Sequence, residues 1–206
     1  MNADLVTWLL SVFAFALAMS ATPGPNNAMA VASGASFGFA RTVPHIVGVA
    51  IGFPVMIVAV ALGAGDVLRV FPVLHLVLRW AGAAYLLWLA VKIATARPTL
   101  TADTTTRRGR PITFIQAALF QWVNPKAWII AVSAISTYTT PDHPMLAQAA
   151  ILALVFMAIS FPSMGFWTLT GVGAAHLLRT ARAIRLFNLA MAALLVASLL
   201  ELLREA

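Results

Sequence analysis

Residues 5–40 read LVTWLLSVFAFALAMSATPGPNNAMAVASGASFGFA, a stretch without one charged side chain. A membrane-spanning helix needs about 20 consecutive, mostly apolar residues, so this stretch is long enough to cross a bilayer. Further apolar stretches cover residues 42–65, 71–94, 112–138, 143–173 and 186–200. Together they predict an all-α, polytopic membrane protein with six transmembrane helices, which we call spans one to six.

The composition excludes several other classes of protein. Of the 206 residues, 62% are hydrophobic and only 9% are charged, against about 25% charged residues in an ordinary soluble domain. The absence of cysteine excludes a disulfide framework and a thiol redox relay. The net charge of +7 fits nucleic acid as well as membranes, but basic residues in short loops of a membrane protein usually record orientation. No nucleic-acid partner is therefore expected.

The basic residues predict how the chain is oriented. Nine of them lie in the connections between spans one and two, three and four, and five and six, against three on the opposite side. The first group is Arg41, Lys92, Arg97, Arg107, Arg108, Arg110, Arg179, Arg182 and Arg185, and the second is Arg69, Arg79 and Arg204. The positive-inside rule then predicts cytoplasmic connections and both termini outside. No basic segment precedes the first apolar run, so span one is expected to be retained rather than cleaved.

A weak internal repeat divides this single domain (1–206) into two halves. Phe53-Pro54-Val55-Met56 in span two recurs as Phe161-Pro162-Ser163-Met164 in span five. The halves are repeat one (about 1–96) and repeat two (about 112–206), joined by a polar cytoplasmic linker (about 97–111). Because three spans is an odd number, repeat two enters the membrane inverted, an arrangement typical of secondary transporters.

The segment Thr22-Pro23-Gly24-Pro25-Asn26-Asn27 interrupts span one. Proline lacks a backbone donor and clashes with the preceding turn, so two prolines around a glycine predict a broken helix. The helix that starts near Asn26 offers N–H groups and a partial positive charge to a carboxylate. The alternative is a plain kink needed for helix packing.

A matching interruption in span four is Gln121-Trp122-Val123-Asn124-Pro125-Lys126. Lys126 lies about 13 residues, or about 20 Å at helical rise, from the cytoplasmic edge, and an ionisable group at that depth suggests function. It could pair with a substrate carboxylate or lose its proton. The alternatives are snorkelling to the nearer interface and pairing with carbonyls freed by Pro125.

Amides beside both breaks can donate and accept hydrogen bonds, as a zwitterionic amino acid requires. The predicted substrate-binding residues are Pro23, Gly24, Pro25, Asn26, Asn27, Gln121, Asn124, Pro125 and Lys126. All six carboxylates fall at span ends or in loops, which disfavours a metal-ion transporter, an embedded enzyme and cationic substrates. No metal or cofactor is expected. The candidates for proton coupling are Lys126, His45 and Asp66, with the substrate amine as the alternative carrier.

Other glycines and prolines are expected to serve helix packing or hinges. These residues are Gly34, Gly38, Gly48, Gly52, Pro54 and Pro162. Gly48 and Gly52 are four residues apart, a spacing that lets helices approach closely. The two prolines are expected to kink spans two and five, and a hinge role in alternating access is the alternative.

The motifs resemble those of the LysE/RhtB family of bacterial amino-acid exporters. The resemblance rests on Thr22-Pro23-Gly24-Pro25-Asn26-Asn27, on Asn124-Pro125-Lys126, on Gly34, Gly38, Gly48 and Gly52, and on Gly82-Ala83-Ala84-Tyr85-Leu86 followed by Lys92. The stretches Ser36-Phe37-Gly38-Phe39 and Trp80-Ala81-Gly82-Ala83-Ala84-Tyr85 look most similar to the cysteine/O-acetylserine exporter branch. Many family members carry an aspartate directly after Pro-Gly-Pro, where this chain has Asn26.

The resemblance implies a non-enzymatic, proton-driven inner-membrane exporter of small amino acids or their derivatives. The expected substrates are neutral and resemble cysteine, O-acetylserine, homoserine or threonine. The expected partners are the substrate, protons and the lipid bilayer, with a homodimer as a possible assembly. The alternatives are a structural or assembly subunit and an exporter of a small metabolite that is not an amino acid.

Overall fold

A computed structural model of the chain describes residues 3–95, 110–177 and 180–204. Within these ranges the secondary structure is helical throughout, without a strand. The helices are α1 (Ala3–Ala21), α2 (Pro25–Phe37), α3 (Phe39–Ala59), a π-helical turn (Val60–Ala64), α4 (Gly65–Val70), α5 (Pro72–Ala94), α6 (Phe114–Val123), α7 (Pro125–Tyr138), α8 (Met145–Leu177) and α9 (Ala181–Arg204). Most of the predicted linker lies outside the described residues.

Large apolar side chains point outward as well as into the core. Leu62 and Val73 are 69% and 72% exposed, and Trp80 and Trp88 are more than half exposed. Such a surface is unfavourable in water but matches the hydrocarbon of a bilayer. Among the described segments, four are long and apolar enough to cross a membrane: Asp4–Ala21, Phe39–Val67, Leu76–Ala94 and Met145–Ala175. The predicted all-helical membrane protein is confirmed at this level.

Helices α1 and α2 follow α8 in the same direction. The ring of Phe15 meets the ring of Phe156 edge to face, 6.1 Å between centroids, and Gly34 lies against the backbone of Thr168. Because these contacts advance together along both segments, α1 and α2 form one interrupted path beside α8. The interruption falls between Ala21 and Pro25, as the double proline predicts.

Helix α3 reverses direction after a turn at Gly38, whose φ is +80°. The hydroxyls of Ser33 and Thr42 lie 2.9 Å apart across this turn, so α3 runs back along α2. Helix α6 then runs parallel to α3, because Phe114 lies against Gly48 and Ala118 against Gly52. Helix α7 runs back along α1, because Lys126 bonds Thr22 and Tyr138 bonds Ser11, so α2 and α7 run in opposite directions.

Pro54 and Pro162 lie inside helices α3 and α8, which are not interrupted there, and the kinks expected at both prolines stay a prediction. Span two has an irregularity that was not predicted, at the π-helical turn, where Gly63 has a φ of +100°. A positive φ strains residues other than glycine, so this site depends on Gly63.

Candidate functional site

At the first helix break, an asparagine side chain hydrogen-bonds the backbone carbonyl groups left without helical partners at the end of α1. The side-chain nitrogen of Asn27 donates to the carbonyl oxygens of Ser20 and Thr22 at 3.2 and 3.0 Å. Gly24 is fully extended (φ −171°, ψ −179°) and Pro25 begins α2. Proline suits the first helical position, where its missing N–H removes no helical hydrogen bond. Asn27 therefore stabilises the break itself.

The second break repeats this design. Asn124 has an extended backbone (φ −88°, ψ +110°), and Pro125 occupies the first position of α7. The indole nitrogen of Trp128 donates to the carbonyl oxygen of Trp122 at 2.8 Å. In the part of the chain that the structure describes, no side chain caps the start of α2 or of α7. The partial positive charge of each helix N-terminus is therefore not offset by a capping side chain.

Lys126 joins the two breaks. Its ammonium nitrogen donates to the carbonyl oxygen of Thr22 at 2.5 Å and to that of Pro23 at 3.3 Å. One alternative predicted for Lys126 was pairing with backbone carbonyls freed by Pro125. Lys126 does pair with backbone carbonyls, but they belong to the first break and not to the second break beside Pro125. A Cβ on Gly24 would stand 2.8 Å from Cδ of Lys126. Glycine at this position therefore lets the lysine stem lie against the first break.

An amide pair makes a second link between the breaks. The side-chain nitrogen of Asn26 donates to Oε1 of Gln121 at 2.9 Å, and Nε2 of Gln121 faces Oδ1 of Asn26 at 3.4 Å. Nε2 of Gln121 also donates to the carbonyl oxygen of Ala117 at 2.8 Å. Gln121 is fully buried. Its hydrogen bonds thus fix Asn26 relative to α6.

Between the two breaks lies a cavity with about 60 Å³ of water-accessible space. Of the predicted substrate-binding residues, Gly24, Pro25, Asn26, Gln121, Asn124 and Lys126 line it, whereas Pro23, Asn27 and Pro125 are not among its lining residues. Among the described residues, the buried side-chain oxygen of Asn124 has no hydrogen-bond partner. Buried polar atoms normally have a partner, so this oxygen has the capacity to bind a further donor.

The model of the LysE type translocator family matches residues 17–205. The chain belongs to this family. The resemblance to the LysE/RhtB exporters that its motifs indicated is thereby confirmed.

This LysE-type chain is similar to curated efflux proteins of bacteria. The chain is 33% identical over 189 residues to the cysteine/O-acetylserine efflux proteins of Escherichia coli K12 and Shigella flexneri serotype 5b. The alignment covers 91% of this chain and 94% of each relative. No solved structure matches the chain. Membership in a translocator family from bacteria, with several apolar helices, supports a multi-pass protein of the inner membrane.

The sequence missed the wall of the cavity that α8 supplies. Phe156, Ser160, Ser163 and Met164 all line the cavity, and their spacing of three and four residues places them on one face of the helix. The hydroxyl of Ser163 donates to the carbonyl oxygen of Ser20 at 3.1 Å, next to the first break. The available signal was the repeated Phe-Pro-x-Met motif, which contains Ser163 but was interpreted only as an internal repeat with a proline kink.

The proton-coupling candidates are spread over different places in the LysE fold. Lys126 lines the cavity, whereas His45 and Asp66 do not. His45 is completely buried, and within the described ranges neither ring nitrogen has a hydrogen-bond partner. It lies one helical turn from Val49, which does line the cavity. In the part of the chain that the structure describes, no aspartate or glutamate lines the cavity.

The predicted packing glycines differ in what they contact. An added Cβ would collide with the backbone of Thr168 at Gly34, and with α6 at Gly48 and Gly52. Gly38 has no atom within 4 Å of that position. It therefore serves the turn between α2 and α3 rather than helix packing.

Proposed function

We propose that this chain exports small neutral amino acids or their derivatives, of the cysteine, O-acetylserine, homoserine or threonine kind, out of the bacterial cytoplasm. The observation that carries the proposal is the cavity between the two helix breaks, lined by Lys126 and adjoining the uncapped starts of α2 and α7. The names of the curated relatives support the same class of substrate.

The substrate carboxylate is assigned to Lys126 and to the two helix N-termini. An ammonium group and the partial positive charge of a helix N-terminus are favourable partners for a carboxylate. The hydrogen bonds from Lys126 to Thr22 and Pro23 are made to neutral carbonyl oxygens. A charged carboxylate competes well for the same ammonium, so substrate binding would exchange these partners.

The substrate ammonium is assigned to neutral oxygens. Asn26 and Asn124 line the cavity. Among the described residues the oxygen of Asn124 has no hydrogen-bond partner, and because it is buried it would have to turn toward the cavity to reach an ammonium. Amide oxygens accept from an ammonium but do not neutralise a second positive charge. This polarity favours neutral amino acids over lysine and arginine.

The size of the cavity favours small substrates. The cavity has about 60 Å³ of water-accessible space, and a cavity needs about 10–15 Å³ to hold even one water. The room for a ligand is therefore small. Amino acids with large side chains would require the surrounding helices to move apart.

Alternating access between two inverted repeats is the proposed transport mechanism. The opposite directions of α2 and α7, each starting with proline beside the cavity, support the inverted repeat and the six predicted spans. In this arrangement both termini face outward, and the proton gradient drives export through Lys126, His45, Asp66 or the substrate amine. The chain has no cysteine, so single introduced cysteines test this topology by labelling from either side, and the homodimer by cross-linking.

A panel of amino acids measured in the medium of expressing cells tests the function, with Lys126→Ala as the matched control. We expect at least one small neutral amino acid to accumulate outside wild-type cells and not outside cells with the variant, at equal membrane abundance. If no amino acid accumulates although wild-type protein is inserted, the proposed substrate class is wrong. A structural role or export of another metabolite would then take its place.

A further inference from the structure

Ser160 stands out among the residues of the cavity that the sequence did not nominate. It lies on α8, one turn after Phe156, and lines the cavity. The residue is only 6% exposed. The hydroxyl oxygen itself is not sealed from the cavity, so it can bind either a molecule there or a partner inside the protein.

No such partner is present in the described parts of the chain. The neighbouring hydroxyls of α8 all donate to backbone carbonyls: Ser163 to Ser20 at 3.1 Å, Thr168 to Met164 at 2.8 Å and Thr170 to Phe166 at 2.9 Å. Bonding to the carbonyl four residues earlier is the usual solution for serine and threonine inside a helix. Ser160 does not make it, so its donor and acceptor positions remain available to the cavity.

Ser160 belongs to a different element from the residues at the helix breaks. Lys126, Asn26 and Asn124 lie at the breaks, where the carboxylate and ammonium of an amino acid are assigned. Helix α8 brings two hydroxyls to the cavity, Ser160 and Ser163, and that of Ser163 is already bonded to Ser20. The hydroxyl of Ser160 is therefore the one left for a further polar atom of the substrate, and a neutral hydroxyl binds such an atom without neutralising a charge.

We propose that Ser160 determines side-chain specificity: its hydroxyl binds the polar atom of the substrate side chain, whether hydroxyl, thiol or ester oxygen. The inference rests on the proposed amino-acid export and deepens it. A serine hydroxyl both donates and accepts, so it serves donor groups such as hydroxyl or thiol and acceptor groups such as an ester carbonyl. An apolar side chain of equal size would leave the hydroxyl unpartnered.

Competition in proteoliposomes tests this role with two nearly isosteric amino acids. Counterflow of radiolabelled L-cysteine is measured while unlabelled L-serine or L-α-aminobutyrate, which carries a methyl in place of the hydroxyl, is added. In the wild-type protein, serine is expected to inhibit cysteine counterflow at lower concentrations than α-aminobutyrate does. Ser160→Ala is expected to reduce this preference for serine, the ratio of the two inhibitory concentrations, about five- to tenfold, the effect of losing one hydrogen bond.

Two further variants separate recognition from folding. Ser160→Thr keeps the hydroxyl and should keep the preference for serine, even if the added methyl slows transport. Ser163→Ala removes a hydroxyl that is already bonded to Ser20, so it should change the inhibition by both competitors by the same factor.

The outcomes are distinguishable. If wild-type protein shows no preference, or if Ser160→Ala retains it, the specificity role is wrong while amino-acid export stands. If Ser160→Ala and Ser160→Thr lose the preference equally, the size of the side chain matters rather than its hydroxyl, and the inference is overturned. If no amino acid supports counterflow, the proposed export fails and this inference fails with it.

Discussion

Replacing Lys126 separates two roles that its position allows. In the structure its ammonium donates to the carbonyl oxygens of Thr22 and Pro23, which suggests a purely structural link between the breaks. The proposed role adds a bond to the substrate carboxylate. A hydrogen bond to a charged group contributes about 1.5–3 kcal/mol, so loss of the carboxylate bond alone lowers transport efficiency by about 10- to 100-fold. We expect a loss of this size or greater for Lys126→Ala.

Lys126→Gln provides the sharper comparison. A glutamine amide still donates hydrogen bonds to carbonyl oxygens, but it carries no charge for a carboxylate. If Lys126 receives the carboxylate, the glutamine variant remains nearly as inactive as the alanine variant. Lys126→Arg retains the charge but has a bulkier head group, and the stem is confined by Gly24, so partial activity is expected.

The assay is counterflow of a small neutral amino acid in proteoliposomes, normalised to the amount of folded protein. Thermal unfolding of each purified variant shows whether the link to the first break is lost. The reasoning is refuted if Lys126→Gln transports within about threefold of the wild type, because the lysine would then act only on backbone carbonyls. It is equally refuted if Lys126→Ala is stable and active.

Three other perturbations follow from the same contacts. Asn26→Leu and Gln121→Leu each break the amide pair, so their effects on transport should be non-additive in the double variant, and additivity would contradict the pairing. Gly34→Ala should lower the unfolding temperature, because the added methyl overpacks the contact with Thr168 at a cost of about 1–3 kcal/mol. Gly173→Ala places its methyl in open space and should leave the unfolding temperature unchanged. Equal effects of the two variants would contradict the close contact between Gly34 and Thr168. His45→Gln should retain counterflow but lose accumulation driven by a pH gradient if the histidine carries the proton, and unchanged gradient-driven transport would exclude that role.

Local chemistry made much of the fold predictable. Pro25 and Pro125 cannot continue a helix, and both breaks occur where these residues require them. The irregular turn at Gly63 gave no such signal, because a glycine within an apolar run is as compatible with a regular membrane helix as with a kink. Pro54 and Pro162 illustrate the opposite limit, since α3 and α8 continue through them.

The site was predictable where polar groups are costly in a membrane. Lys126 was predicted because a charge at that depth suggests function, and Gln121 because an amide beside a helix break can donate and accept hydrogen bonds. Which partner each would have depends on contacts between distant parts of the chain, and local spacing does not reveal them. Ser160 was missed for a related reason: serine in a membrane helix usually bonds its own backbone, and only the structure shows that this one does not.

The two links between the breaks explain how substrate binding could drive a change of conformation. Each break is completed by the other, since Lys126 bonds the end of α1 and Asn26 bonds Gln121 of α6. A ligand shifts a conformational equilibrium only by its differential affinity for the two states. A substrate carboxylate that binds the ammonium of Lys126 displaces the hydrogen bond between Lys126 and the first break. Substrate binding and the link between the two breaks therefore compete for the ammonium of Lys126. In the proposed mechanism that competition supplies the differential affinity, and no carboxylate side chain is needed within the cavity.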